Sequence, residues 1–277
     1  VFFRTYSRRK RDIGSRETWT QVCDRTVEGL AKLGNLNTSE IELISKMQRR
    51  LKALPSGRWL WVGGTDWLAK QRNYSGAYNC TSTNLTDWRA FGLMMDLAMM
   101  GSGTGAILEA KYIDQLPIIH NTLKVQLQGE IGDTPISERS HETRVSNQEN
   151  HVTIRVGDSR EGWVKSYQTL LELSADESFP GVVEVTVDIS DVRKAGEILK
   201  GFGGVANPVK LPGLYQRCAS IINKAVGRKL NSVECCLLID EAAVTIVAGN
   251  IRRSAGIRQG ASDDSSFADA KANLWQQ

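Results

Sequence analysis

Apolar residues at Ile41, Ile44, Met47, Leu51 and Leu54 recur at helical spacing. They predict an amphipathic helix, opened by Ser39 and Glu42 as a capping box and closed by Pro55, Ser56 and Gly57. A first amphipathic helix is predicted over 16–33. RWLWVGGT (58–65) reads as a strand followed by a glycine turn, and YNCTSTN (78–84) as a short extended piece. Thr86 is placed as the cap of a helix over 87–100. GSGTG (101–105) then reads as a tight loop leading into AILEA (106–110), a buried strand. Residues 129–150 are polar without apolar period and read as a long loop or a solvated hairpin arm. HVTIRVG (151–157) and VVEVTVDIS (182–190) alternate or run β-branched, the pattern of strands. GWVKSYQTLLELS (162–174) is helical, Pro212 opens a helix to about 226, and a long helix over 232–249 closes on GNIRRSAG (249–256). Strands alternating with helices predict an α/β fold with a mostly parallel sheet.

Composition narrows this picture. The chain has 277 residues, room for one large or two ordinary domains, and 41% of them are hydrophobic, enough for a core. The charge of +4 is a small excess and does not call for nucleic acid. The basic run RTYSRRKR (4–11) reads as a solvated terminus, with a phosphate contact as the sharper alternative. LMMDLAMMG (93–101) is too short to span a bilayer and carries Asp96. Five cysteines in no ligand-like spacing and three histidines argue against zinc, and the odd cysteine count points to a reducing cytoplasm. In that setting the matches to the glycosylation sequon at NTS (37–39), NYS (73–75), NCT (79–81) and NLT (84–86) are read as chance.

Three features carry candidate chemistry. Cys23, Cys218, Cys235 and Cys236 lie on apolar helix faces and read as small inert residues. Cys80 differs, because Asn79, Thr81 and Ser82 flank it at a strand end, where it is either packing or a working thiol. The glycine loops GSGTG and GFGG (201–204) could bring backbone N–H groups against phosphate, although neither has dinucleotide or P-loop spacing. Arg252 and Arg253 in GNIRRS suit phosphate or base edges, or else a solvated helix end.

Taken in order, SGRWLWVGGT (56–65), YNCTSTN, MMGSGTGAILE (99–109), YIDQLPII (112–119), GDSREGWVKS (157–166), DISDVRKAGEILKGFGGVANP (188–208) and VAGNIRRSAGIRQGASDD (247–264) resemble the adenosylcobalamin-dependent ribonucleotide reductases. The closest likeness is to the monomeric, triphosphate-reducing branch, from about residue 16 onward. REGW, DISDVR with GFGG, and AGNIRRSA are the specific motifs.

The resemblance implies a ten-stranded α/β barrel, of which this chain would supply roughly the first half. An N-terminal helical region would cover 1–54, the first part of the barrel 55–128, an effector segment interwoven with barrel strands 129–264, and a truncated helix 265–277. It implies reduction of ribonucleoside triphosphates to deoxynucleotides for DNA synthesis by a thiyl radical. Adenosylcobalamin would be the cofactor, a thioredoxin-like dithiol the reductant and a deoxynucleotide the effector. The full-length form would be a cytoplasmic monomer with neither a nucleic-acid nor a membrane partner. Cys80 matches the first thiol of the reducing pair. Asn79, Thr81, Ser82 and Gly103 would line the substrate pocket. Glu109, Tyr112, Asp114, Arg252, Arg253 and Ser254 would belong to the effector region, with GNIRRS linking effector to substrate base. No residue is assigned to a metal. The family's Asn-Pro-Cys-Gly-Glu radical motif does not occur here. The expectation is therefore an inactive first part of the enzyme, with most cobalamin contacts downstream. Two alternatives remain: a non-catalytic nucleotide-binding regulatory module, and a reductase relative with another radical source. A plain NAD-dependent α/β enzyme ranks behind both, because no GxGxxG follows a strand.

Overall fold

The computed structural model describes residues 2–10, 14–197, 206–246 and 255–273. GFGG, Arg252, Arg253 and Ser254 lie outside the described residues. The described chain divides into two compact units, one over residues 2–79 and one over residues 80–197 and 206–273.

The first unit is helical: α1 (Phe2–Thr5), α2 (Trp19–Gly34), α3 (Thr38–Arg49), α4 (Gly57–Val62) and a 3-10 turn over Gln71–Ala77. Capping chemistry sets its helix starts. Thr18 accepts from the Gln21 amide while the Gln21 side chain returns to the Thr18 amide, so α2 begins three residues later than its apolar pattern suggests. The capping box of α3 is Asn37 with Glu40, which corrects the expected Ser39 and Glu42. The Ser39 hydroxyl instead donates to Asn37 Oδ1 at 2.7 Å. RWLWV is helix α4 rather than a strand. Ser56 accepts from the Trp59 amide, and the turn buries Leu60, Trp61 and Val62. The indole of Trp59 donates to the Thr26 carbonyl at 3.0 Å and ties α4 to α2. Gly64, at φ +68°, passes so close to α2 that a Cβ would lie 2.0 Å from the Arg25 carbonyl oxygen. Only glycine fits there on both counts.

The second unit is α/β. Its elements are β1 (Cys80–Asn84), α5 (Trp88–Met99), β2 (Gly103–Ile107), α6 (Ala110–Ile113), β3 (Thr122–Gln128), β4 (Arg144–Gln148), β5 (His151–Arg155), α7 (Arg160–Leu173), β6 (Val182–Asp188), a 3-10 turn over Pro208–Lys210, α8 (Leu211–Asn223), α9 (Ser232–Thr245), β7 (Gly256–Gln259) and α10 (Ser265–Ala268). Two sheets result. One is wholly parallel in the order β1-β2-β7. The other runs β3-β6-β5-β4, parallel except for the β4–β5 hairpin. GSGTG is thus only in part a loop, since Gly103, Thr104 and Gly105 belong to the central strand β2. The cap of α5 is Asp87, whose carboxylate accepts from the Ala90 amide, and not Thr86. The polar stretch 129–150 contributes β4, a hairpin arm. Within the described residues the long helix α9 stops at Thr245.

The core of this unit lies where α5, α7, α8 and α9 meet the apolar faces of both sheets. Met94, Met95, Ile154, Leu170 and Val185 are buried there. Each such side chain contributes about 1.5–3 kcal/mol. Its two fully buried tyrosines are bonded: Tyr167 donates to the Leu238 carbonyl at 2.9 Å, and Tyr215 pairs with the Ser166 hydroxyl at 2.7 Å. The other face of the four-stranded sheet is polar. Its register aligns Gln126, Thr186, Thr153 and Ser146 in one row, with Gln128, Asp188, Arg155 and Arg144 in the next.

An ion network holds the chain after β5 and β6. Arg139 is buried between Glu197, at 2.9 Å, and Asp158, at 3.7 Å. Arg193 bonds the same Asp158 at 2.7 Å. Arg155 grips Asp191 with two hydrogen bonds of 2.9 Å. No helix among the described residues is long and apolar enough to cross a membrane.

Candidate functional site

Cys80 is the first residue of β1 and is exposed. The strand's exposure alternates, with Cys80, Ser82 and Asn84 open and Thr81 and Thr83 half-buried. In β2 the alternation has the opposite consequence for side chains. Thr104 and Ala106 are buried, and Gly103, Gly105 and Ile107 are half-buried. Register places Cys80 beside Gly103 and Ser82 beside Gly105. Directly opposed residues point to the same face, so the thiol and hydroxyl of β1 border a stretch of β2 without side chains. On its far side stands Ile257 of β7, paired with Gly105 and exposed. The result is a shallow trough, thiol-edged and floored by backbone. The Thr81 hydroxyl donates to the Gly103 carbonyl at 3.1 Å and fixes the two strand starts together.

The other cysteines are poor candidates. Cys23, Cys218 and Cys235 are buried, and desolvation raises the pKa of each. Cys236 departs from the expected inert packing. It is half-exposed and donates to Asp240 Oδ2 at 3.5 Å; burial, with the nearby carboxylate, pushes its thiol up to about 11. A neutral thiol at that position is a weak nucleophile.

Asn79 closes the first unit. Its side-chain oxygen accepts from Nε of the buried Arg58 at 3.0 Å. That bond orients the carboxamide, with the nitrogen as its donor end. The role of Arg58 is absent from the sequence reading, since RWLWV read as a strand gives no reason to bury an arginine.

Glu109, Tyr112 and Asp114 lie elsewhere. Glu109 precedes α6, two residues beyond the end of β2, whereas Cys80 pairs with that strand's first residue. Four strand steps separate the two ends of β2, about 13 Å at 3.3 Å per residue. The structure therefore brings Glu109 and Tyr112 together but not with Cys80. Glu109 bonds Lys111 at 2.7 Å, and the Lys111 ammonium stands 4.9 Å from the centre of the Tyr112 ring. The Asp114 carbonyl accepts from Lys229. An aromatic face, a cation and a carboxylate within one turn can stack a base and meet a phosphate or a hydroxyl. Among the described residues no group of three or more His, Cys, Asp or Glu is placed to hold a metal.

Comparison with known proteins gives a consistent result. Residues 132–218 match the family model "B12-dependent ribonucleotide reductase, insertion domain", and residues 1–65 match "Ribonucleotide reductase alpha domain". Curated relatives named adenosylcobalamin-dependent ribonucleoside-triphosphate reductase include those of Levilactobacillus brevis (29% identical), Lactobacillus helveticus (28%) and Lactobacillus leichmannii (27%). Each alignment covers 98% of this chain and 42% of the relative, so the chain spans well under half the length of these proteins. A crystal structure of a B12-dependent (class II) ribonucleotide reductase superposes with a TM-score of 0.77 at 23% identity, over 99% of this chain and 43% of that one. The fold is shared with that structure. The likeness read from the motifs extends along nearly the whole chain.

Proposed function

We propose that this chain, a relative of the adenosylcobalamin-dependent ribonucleoside-triphosphate reductases, carries a reducing thiol and an effector-responsive segment of such an enzyme. The observation that supports the reading most is the trough beside Cys80. A reducing thiol has to touch the ribose and then be regenerated from a disulfide, so it must be exposed and bordered by little bulk. Cys80 is exposed, and the residue paired with it on β2 is a glycine. Ribonucleoside triphosphate is the substrate in this reading. Thr81, Ser82 and Asn79 offer hydroxyl and amide groups to the ribose, and the Gly103 backbone approaches it closely. The net change is balanced by two thiols. The 2′ C–O bond breaks, its oxygen leaves as water, a hydrogen takes its place, and Cys80 and a second cysteine end as a disulfide. A thioredoxin-like dithiol then reduces that disulfide.

Adenosylcobalamin supplies the initiating radical when bound. Most of its contacts are assigned outside these residues. A hollow of about 350 Å³ lined by Thr83, Asp87, Arg89, Ala90 and Leu93 lies at the low end of the range for a drug-sized ligand and is far too small for a corrin. The radical cysteine and the second reducing cysteine are likewise assigned outside these 277 residues, in a ten-stranded barrel to which β1, β2 and β7 contribute. The chain by itself is then inactive.

The Glu109–Lys111–Tyr112 group and the insertion match over 132–218 support a deoxynucleotide effector site. Arg252, Arg253 and Ser254 would couple it to substrate choice. A regulatory module without catalysis is the second reading, favoured by that same group. Equilibrium binding of deoxynucleoside triphosphates to wild type and Cys80→Ser tests it. Both readings predict equal binding, and only the catalytic one predicts that the longer reductase loses turnover in Cys80→Ser.

A further inference from the structure

We infer that Arg258 is a positioning residue for the Cys80 trough, holding the backbone floor of β2 to helix α9 so that the floor meets the ribose at a fixed height. This role rests on the reading of the trough as the substrate site. Arg258 pairs with Ala106 across the β2–β7 ladder and lies on the sheet face turned away from Cys80. Its guanidinium folds back over Gly256, where a Cβ would stand 2.7 Å from Nη1 and 2.9 Å from Nη2. From that place it reaches three segments. Nη1 donates to the Thr104 carbonyl at 2.9 Å and to the Ile257 carbonyl at 3.2 Å, and Nη2 donates to Asp240 Oδ1 of α9 at 2.7 Å. The Thr104 carbonyl lies in the peptide between Thr104 and Gly105, so the bond is made to the floor itself.

Two observations separate positioning from mere packing. The Arg258 side chain is 10% exposed, and its Nε has no hydrogen-bond partner among the described residues. A buried guanidinium with an orphan N–H is a poor stabiliser, since an apolar side chain of similar volume often does as well or better. What the arginine adds is a planar fork that spans Asp240 and Thr104 at once, which neither methionine nor lysine reproduces. The placement along the chain is the second observation. Asp240 stands in the helix before GNIRRS and Arg258 in the strand after it, so the pair ties both flanks of that segment to the trough floor.

Two measurements test this. The first is native-state amide exchange on the full 277-residue chain. The Thr104 amide donates to the Ala255 carbonyl at 2.8 Å and reports the β2–β7 ladder. Relative to the amides of α7, Arg258→Met should lower its protection by about ten- to a hundredfold. Arg258→Lys, which meets one acceptor at a time, should fall in between. Arg228→Met, which takes a guanidinium from Glu234 at the start of α9, should leave that ratio at its wild-type value. The second is turnover, per folded molecule, of a reductase of its relatives' full length that carries these residues. A small displacement of the floor should lower kcat by about ten- to a hundredfold in Arg258→Met, with KM changed less than kcat and partial recovery in Arg258→Lys. Unchanged Thr104 protection overturns the inference, and so does an unchanged kcat per folded molecule. Failure of the trough reading shows differently: turnover survives Cys80→Ser while Thr104 protection still falls in Arg258→Met, and the positioning role falls with it.

Discussion

The trough beside Cys80 depends on β1 lying tight against a β2 that has no side chain at position 105. Gly105→Ala tests this. A Cβ there would stand 2.9 Å from the Thr81 carbonyl oxygen, 3.4 Å from Ser82 Cα and 3.5 Å from Ser82 Oγ. The first contact is with backbone and too short to persist, so β1 must shift. Overpacking of this kind costs about 1–3 kcal/mol. Removing glycine from the unfolded chain returns about 0.4–1 kcal/mol. The net loss is about 1–2 kcal/mol, or roughly 2–8 °C in Tm for a unit of this size. Calorimetry measures the loss, and the rate at which Cys80 reacts with a soluble disulfide reports the displaced strand. An unchanged Tm with an unchanged Cys80 rate would refute the close apposition of β1 and β2.

Three further outcomes follow from the same geometry. In the native chain a soluble thiol reagent should label Cys80 first and Cys236 slowly, with Cys23, Cys218 and Cys235 reacting only after denaturation; early labelling of Cys218 would contradict the packing of α8. Arg139→Met should destabilise the chain by about 2–4 kcal/mol by denaturant unfolding, because Glu197 loses its two hydrogen bonds from arginine and the buried Asp158 loses one of its two arginines. A loss below about 0.5 kcal/mol would mean that the network is dispensable. Stability should fall in acid. Burial raises the Asp191 pKa, but hydrogen bonds from Arg155 outweigh that and hold it below its usual value; Glu234, bonded to Arg228, behaves likewise. Depressed carboxylates stabilise above their unfolded pKa, near 4, and the contribution is lost as pH falls through the folded value. Melting curves from about pH 7 to 3 should show this, with a smaller acid slope in Asp191→Asn; an identical slope would contradict it.

Strands β5 and β6 and helices α2, α7 and α8 were legible because each has one clean period. Sequence pattern and structure differ where periodicity is uninformative. RWLWV is a short unbroken apolar run that fits strand or helix, and the Ser56 cap, visible in the sequence, was the deciding signal. Asn37 and Ser39 both stand three residues before a glutamate, so spacing could not choose between them. GTGAI carries the glycines that strands usually exclude, and the structure gives the reason: they occupy the open face next to Cys80. The alternating TLKVQLQ, strand β3, and GIRQ, strand β7, are missing from the sequence reading. The second needs its pairing with β2 to be recognised. Cys80 was legible as chemistry from its polar neighbours, whereas Arg58 behind Asn79 was not.

The most direct test of Cys80 as a reducing thiol is turnover of a reductase of its relatives' full length that carries these residues. Adenosylcobalamin-dependent reduction of ribonucleoside triphosphates is measured for wild type and Cys80→Ser, with deoxynucleotide binding followed in parallel. The account predicts that reduction falls by about three orders of magnitude or more while binding is unchanged, since a serine hydroxyl cannot be oxidised to a disulfide and so supplies none of the reducing electrons. Reduction that persists at near wild-type rate in Cys80→Ser would contradict it and return Cys80 to an exposed residue at a strand end.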